Sequence, residues 1–238
     1  MATPNHRQEN QRVYILHTYP FKETSLIAEV FTEKFGRIPV VAKGARRPRS
    51  SIRGMLQSFQ VLLANWSGKS ELKSLNGLEW CEKLTILEGD ALMCGFYLNE
   101  LMMRLLPRDE PHPDLFHFYH ETILALSEGR ELTITLRRFE LKLLQALGYA
   151  VTLDHDEDSN PIIPDKIYRY EAEYGACDLT KTDHGIKVLG KTLLDMASDQ
   201  YVDKETQQQS KQLMRYLLGF YLGDKPLHSK QLFVDLQG

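Results

Sequence analysis

The spacing of apolar residues changes once along this chain, near residue 82, and this change limits the possible folds more than any other feature of the sequence. Before it, short apolar segments alternate with turns, and Phe59, Val61 and Leu63 keep the period of two that is typical of a half-buried strand. Five such segments, the last with a bulge or turn at Asn76 and Gly77, predict a small antiparallel barrel of the OB-fold or SH3-like type. The predicted strands cover residues 13–16, 26–31, 38–42, 59–63 and 71–80.

After residue 82 the spacing becomes helical. Leu87, Leu98 and Leu105 belong to a stripe with steps of three and four residues, which is one face of a helix, and Pro107 ends it. The further predicted helices cover residues 114–126 (with Asp114 as N-cap), 133–147, 186–197 and 204–222. The sequence therefore predicts an α+β protein with a barrel domain at 1–80 and a helical domain at 81–238. The helical domain contains an irregular insertion at about 150–185.

The overall composition is that of a globular protein. Apolar residues make up 42% of the chain and charged residues 26%. No apolar run approaches the roughly 20 residues that a membrane-spanning helix needs, and the first ten residues are too polar for a signal peptide. The three cysteines are scattered, which suits a reducing compartment. We therefore expect a soluble cytoplasmic protein without a membrane partner.

Charge is distributed unevenly between the two predicted domains. Residues 1–80 hold 12 Lys and Arg against 6 Asp and Glu, a net charge of +6, whereas the remainder carries −9. This asymmetry is expected when one part of a chain faces a polyanion and the other does not. The barrel is therefore predicted to be the part that contacts nucleic acid.

The positive charge is concentrated in residues 34–53, which contain seven bases and no acid. Gly, Pro and Ser within this run predict a flexible, exposed loop that follows a phosphate backbone; a solvated loop without a ligand is the alternative. Aromatic residues beside turns could add base stacking, and Phe35 and Trp66 are the candidates. The predicted DNA-binding residues are Lys34, Arg37, Lys43, Arg46, Arg47, Arg49, Arg53, Trp66 and Lys69.

Two motifs suggest an enzyme, and both are weak. Residues 185–192 match the P-loop pattern, but the residues before them are polar and too few follow to build the parallel sheet of an ATPase. A helix with Ile186, Leu189 and Leu193 on its apolar face is the preferred interpretation. The acidic run at 154–158 could indicate a nuclease but is more typical of a solvated loop. The sequence therefore predicts no catalytic residue, no cofactor and no metal site, with an ATPase or a nuclease as the alternative.

Three blocks of the sequence together carry a family resemblance. They are residues 23–46, with the segments ETSL, FTEKFGR and AKGAR, residues 137–149 (RRFELKLLQALGY), and residues 225–233 (KPLHSKQLF). In this order the three blocks resemble the RecO family of bacterial recombination mediators. The resemblance implies an N-terminal OB-fold, a mostly helical remainder, binding of single- and double-stranded DNA, and strand annealing near the bacterial nucleoid. It also implies RecR and single-strand-binding protein as partners and an indirect role in loading RecA. An RNA-binding or ribosome-associated factor with the same barrel is the alternative.

This chain departs from the family pattern at the zinc site that some members carry. It has no CxxC pair, and His155, Cys177 and His184 do not have the spacing of a tetrahedral zinc motif. We therefore expect a degenerate, metal-free zinc-finger-like segment within the helical domain.

A contact with the tail of single-strand-binding protein is predicted at the helix around residue 137. Arg137 and Arg138 are adjacent and point about 100° apart, so at least one of them flanks the apolar face that contains Phe139. A groove with a cationic rim suits an acidic peptide that ends in a bulky apolar residue. The alternative is that Phe139 is part of the core and that Arg138 pairs with a neighbouring acid.

Overall fold

The computed structural model describes residues 6–149, 151–181, 184–223 and 227–229. Within these ranges the chain forms two compact units, one up to Arg130 together with residues 227–229, the other from Glu131 to Gly223. The division differs from the predicted domain boundary at 80/81, because two helices after residue 81 belong to the same compact unit as the barrel. None of the described helices has the length and apolar character needed to cross a bilayer.

The first unit contains a closed five-stranded barrel with the strand order β1-β2-β3-β5-β4. The neighbours are antiparallel except β3 and β5, which are parallel. This confirms the prediction of an N-terminal OB-type barrel. The elements of this unit are β1 (Arg7–Phe21), β2 (Ser25–Thr32), β3 (Gly36–Ala42), β4 (Val61–Ser67), β5 (Lys73–Trp80), α1 (Gly89–Leu105) and α2 (Pro113–Ser127).

Alternation along the strands separates the barrel interior from its outer face. In β4 the interior positions are Leu62, Ala64 and Trp66, whereas Val61 points to the outer face and is also buried. The extra residue Asn76 in β5 lies opposite the Asn65–Trp66 step and forms a bulge, as predicted. The buried interior consists of Val13, Ile15, Ala28, Val30, Ile38, Val40, Leu62, Ala64, Trp66 and Leu78.

Helices α1 and α2 pack on the outer face of the barrel. The buried Tyr14 ring of β1 meets the Tyr119 ring of α2 edge-on, with centroids 4.9 Å apart, and the Tyr14 hydroxyl lies 2.6 Å from Nδ1 of His120. Asn99 of α1 donates to the carbonyl of Leu16 (2.9 Å) and accepts from the Tyr119 hydroxyl (2.6 Å). Helix α2 begins at Pro113 with His112 as N-cap, so the prediction of Asp114 as N-cap was wrong.

A buried carboxylate joins the barrel to the connection between α1 and α2. Glu29 of β2 is 1% exposed, and its oxygens pair with Arg37 of β3, at 2.9 Å, and with Arg108. Arg37 Nε also donates to the carbonyl of Leu106, at 3.0 Å. At the β2–β3 turn a Cβ on Gly36 would lie 2.0 Å from the carbonyl oxygen of Glu110, and the positive φ of Gly36 (+68°) also favours glycine.

Glu100 of α1 binds the segment 227–229. Its carboxylate accepts from the backbone N–H of His228 (2.9 Å) and of Ser229 (2.8 Å), and also from the Ser229 hydroxyl. Burial alone would raise the pKa of Glu100, but the hydrogen bonds from Ser229 and His228 and the charge of Arg104 lower it below its usual 4.5. The ionised carboxylate is thus favoured in the folded protein.

We expect Glu100→Gln to destabilise the protein by about 1–2 kcal/mol at pH 7, because a charged acceptor of three hydrogen bonds is lost. Since the folded pKa lies below the unfolded one, the difference from wild type should be full above pH 4.5 and should decline as pH falls through the folded pKa. Urea unfolding of wild type and variant between pH 7 and pH 3 measures this difference in the free energy of unfolding. A difference between the two proteins that does not change with pH would contradict the lowered pKa of Glu100 in the folded protein.

The described residues of the second unit form three helices and a small antiparallel sheet with the order β7-β6-β8. Residues 186–189 form β8, so their prediction as the first turn of a helix was wrong. These four residues, three of them apolar, are too few to distinguish the helical period from the strand period. The elements are α3 (Leu132–Ala146), β6 (Ile167–Glu171), β7 (Gly175–Cys177), β8 (Ile186–Leu189), α4 (Gly190–Ala197) and α5 (Lys204–Leu222).

Candidate nucleic-acid interface

The basic segment, defined here as residues 43–53, is a folded structure and not the flexible loop that the sequence predicts. Successive backbone hydrogen bonds close turns along it, for example from Arg47 N–H to the carbonyl of Gly44 (3.0 Å) and from Ser50 N–H to that of Arg47 (3.1 Å). Ala45 is fully buried, and Ile52 packs against the barrel core. These contacts anchor the segment on the barrel while its charged side chains point to solvent.

Five cations of the basic segment are exposed within 11 residues, namely Lys43, Arg46, Arg47, Arg49 and Arg53. Within the described part of the chain, none of them forms an ion pair. By contrast, Arg37, Arg108 and Arg138 are each bonded to an acid. The basic segment therefore presents a dense positive charge that is not neutralised by an ion pair with any acid among the described residues.

A cleft of about 430 Å³ opens between the basic segment and the bulge of β5. The bulge residue Asn76 lines it, and its Nδ2 donates to Ser67 Oγ (2.9 Å), which fixes the side chain at the edge of the cleft. The cationic groups on its wall can bind phosphate oxygens by charge-assisted hydrogen bonds. The lining residues are Lys43, Gly44, Arg47, Arg49, Ser50, Ser51, Ile52, Leu75, Asn76 and Gly77.

The structure does not bring all the predicted DNA-binding residues together. Lys34 is exposed in the β2–β3 turn, at the opposite end of that hairpin from Lys43. Lys69 is exposed in the turn between β4 and β5, outside the cleft lining. Arg37 is bonded to Glu29 and Leu106, so its prediction as a DNA contact was wrong: its guanidinium is needed to neutralise a buried carboxylate.

Of the two aromatic residues proposed for base stacking, Trp66 is buried and Phe35 is partly buried against the barrel core. Trp66 is 3% exposed inside the barrel and meets the Phe35 ring edge-on, with centroids 5.4 Å apart. The prediction for Trp66 was therefore wrong. A signal in the sequence could have corrected it, because Leu62, Ala64 and Trp66 alternate with the polar Asn65 and Ser67. Sequence reasoning noted the Asn76 bulge but did not connect it with the basic segment.

The three residues predicted to bind the tail of single-strand-binding protein are also not equally accessible. Phe139 is fully buried in α3, and Arg137 is 7% exposed and pairs with Glu140 (2.6 Å). Only Arg138 reaches the surface, where it binds Asp199 (2.7 Å). The prediction of an open apolar groove at Phe139 was wrong, since this ring belongs to the core.

The P-loop-like residues 185–192 do not form a phosphate-binding loop. The four central positions of the motif are strand β8, and the first amides of α4 are already bonded: Gly190 N–H to the carbonyl of Lys166 (2.8 Å) and Lys191 N–H to that of Pro164 (2.7 Å). A Cβ on Gly190 would lie 2.0 Å from the carbonyl oxygen of Ile163. The protein's own backbone thus occupies the space in which a P-loop holds phosphate.

The acidic run at 154–158 is held by internal contacts. Asp156 accepts from the backbone N–H of Asn160 (2.8 Å), and Lys181 pairs with Glu157 (3.0 Å) and Asp158 (2.5 Å). No group of three or more His, Cys, Asp or Glu side chains suited to a metal ion occurs among the described residues. Burial raises the pKa of the Cys177 thiol to about 12.

The fold defines this chain as an OB-type barrel protein with an attached helical unit, and sequence comparison gives the family. The model of the recombination protein O N-terminal domain matches residues 6–84, and that of the C-terminal domain matches residues 87–231. The chain therefore belongs to the RecO family.

Several relatives match this chain over at least 96% of its length. DNA repair protein RecO of Nitrosospira multiformis is 51% identical over 240 residues, which cover 100% of this chain and 99% of the relative. The protein of the same name from Dechloromonas aromatica is 47% identical over 96% of each chain. The one from Burkholderia pseudomallei is 46% identical over 99% of this chain and 86% of the relative.

Proposed function

We propose that this protein is a DNA-binding recombination mediator of DNA repair, which binds and anneals single-stranded DNA without nucleotide hydrolysis. The observation that supports this best is the set of five exposed, unneutralised cations on an OB-type barrel. A phosphate backbone that lies along them would release counterions, which gives affinity without sequence preference. Duplex DNA offers the same phosphates and is a second ligand.

The proposal extends to partners and to the place of action. Membership of the RecO family supports action in the bacterial cytoplasm at the nucleoid, with RecR and single-strand-binding protein as partners and RecA loading as the outcome. For the tail of single-strand-binding protein, Arg138 is the one predicted contact that lies on the surface. The tail-binding groove is therefore proposed away from the buried Phe139.

The decisive experiment measures annealing of two complementary strands coated with single-strand-binding protein, with purified protein and without ATP. We expect the protein to accelerate annealing, and a fluorescent dye pair on the two strands would follow it. No acceleration at any protein concentration would contradict the proposal. Binding of DNA and RNA strands of equal length at matched salt tests the alternative of an RNA-binding factor, which predicts tighter binding to RNA.

Lys191→Ala is expected to leave DNA affinity and annealing within about twofold of wild type. The Lys191 ammonium is bonded to Asp195 (2.6 Å) and to Asp203 and belongs to the second unit, whereas the basic segment belongs to the first. Filter binding, the annealing assay and phosphate release from ATP would measure the effect. ATP turnover by the wild type that is lost in this variant would instead support the ATPase alternative.

A further inference from the structure

An aromatic pair lies exposed on β1, close to the basic segment. The Tyr19 side chain is 43% exposed, and the ring of the exposed His17 contacts it with centroids 4.4 Å apart and planes at 62°. Because the Tyr19 ring is held by its neighbour but not covered, its orientation is restrained while part of its surface remains open to solvent. Most large apolar side chains of the barrel are instead buried.

Strand register shows which face of the barrel carries this pair. Tyr19 pairs with Ile27 of β2, and Ile27 pairs with Val41 of β3, so these three lie in one row. The neighbouring residue Ala28 points into the barrel, and the row therefore lies on the outer face. This is the face of the second and third strands that OB-folds use to bind oligonucleotides.

The same hairpin supports the basic segment. Arg46 N–H donates to the carbonyl of Thr24 (2.8 Å), and Gly44 N–H donates to the Ser25 hydroxyl (3.4 Å), at the tip of the β1–β2 hairpin. Ser25 pairs with Phe21, which is two residues or roughly 7 Å along the strand from Tyr19. Lys22 at this tip adds a further exposed cation, with its ammonium 5.3 Å from the centre of the Phe21 ring.

We propose that Tyr19, held by His17, stacks on an unpaired base of a strand whose phosphates bind the basic segment, and that this stacking gives the site a preference for single strands. This inference rests on the proposed function and deepens it. Cations alone bind the phosphates of single and double strands, whereas an aromatic face can only stack on a base that is free of its partner strand. The positive charge of the basic segment complements the phosphates, and the Tyr19 ring beside it can stack on a base. Together they favour a single-stranded nucleic acid as the ligand of this surface.

The test compares Tyr19→Ala with wild type on a single strand and on a duplex of the same length. We expect single-strand affinity to fall about fivefold or more, the lower end of what one base stack contributes, and duplex affinity to stay within about twofold. The slope of log affinity against log salt should not change, since no phosphate contact is lost. Tyr19→Phe should bind as wild type because it keeps the ring.

Two further variants control the experiment. Tyr174→Ala removes a side chain that is 66% exposed in the turn between β6 and β7, and it should affect neither ligand. Tyr19→Trp adds an indole at the proposed stacking position. Its fluorescence, relative to the parental protein with Trp66 and Trp80, should be quenched by the single strand and not by the duplex.

The outcomes separate this inference from the function on which it rests. Wild-type protein that binds no DNA would contradict the proposed function itself. Wild-type binding that depends on the basic segment, together with an unaffected Tyr19→Ala variant, would overturn only the stacking role. An equal loss of single-strand and duplex affinity in Tyr19→Ala would also overturn it, because stacking on an unpaired base cannot weaken duplex binding.

Discussion

Replacing Arg46, Arg47, Arg49 and Arg53 together by alanine is expected to weaken single-stranded DNA binding on the order of 100-fold at 0.15 M salt. Each phosphate contact contributes about 0.7 to the slope of log affinity against log salt for single strands, so four lost contacts should flatten this slope by up to about 2.8. The four guanidinium groups are exposed and lack internal acid partners within the described chain, so the fold should not need them. Fluorescence anisotropy at a series of salt concentrations measures both quantities.

A control for this variant must remove the same charge elsewhere. Lys187, Lys204, Lys211 and Arg215 are exposed cations of the second unit that are not among the predicted DNA contacts. Their combined replacement by alanine also lowers the net charge by four, and it should leave the slope within about 0.5 of wild type. If both variants flatten the slope equally, binding depends on overall charge and the basic segment has no special role.

Glu29→Gln is expected to destabilise the folded protein by about 3–5 kcal/mol. The carboxylate is 1% exposed, and its loss leaves the largely buried Arg37 without a counter-charge, which is the costly way to break a buried ion pair. Urea unfolding followed by circular dichroism measures the free energy of unfolding. DNA binding by the fraction that is folded should be retained, because Glu29 lies outside the cleft lining.

The matched control is Glu128→Gln, which breaks an ion pair of the same type at the surface. Glu128 and Arg130 are 2.7 Å apart with side chains 52% and 66% exposed, so water replaces the lost partner. The change in the free energy of unfolding should be about 0.5 kcal/mol or less. If the two substitutions change the free energy of unfolding equally, the buried pairing of Glu29 with Arg37 and Arg108 stabilises the fold no more than a surface ion pair does.

The sequence was sufficient to predict the barrel and the position of the exposed charge, because both depend on local patterns. Period-two alternation identifies strands, and the run of bases without acids identifies the basic segment. Arg37 was misassigned because its partner Glu29 lies on another strand, and only strand pairing brings the two together. Trp66 was misassigned because it lies beside a turn in the sequence, whereas the alternation of Leu62, Ala64 and Trp66 in β4 places its ring inside the barrel.

The errors in the second unit have a different physical origin. The apolar residues Ile186 and Leu189 fit a helical stripe as well as a short strand, and only pairing of β8 with β6 decides between them. The ring of Phe139 fits the floor of a groove as well as a packed core. Burial of a side chain depends on the elements that cover it, and the pattern of one helix cannot supply that information.

The hydrogen-bonded turns of the basic segment have a consequence for the thermodynamics of binding. Fixing the backbone of one residue costs about 1–2 kcal/mol in conformational entropy, and a disordered arm would lose this free energy on meeting its ligand. Here the backbone is already ordered through bonds such as that from Arg46 N–H to the carbonyl of Thr24. Binding should therefore proceed with little coupled folding and a small change in heat capacity, and the entropy of released ions would be its main driving force.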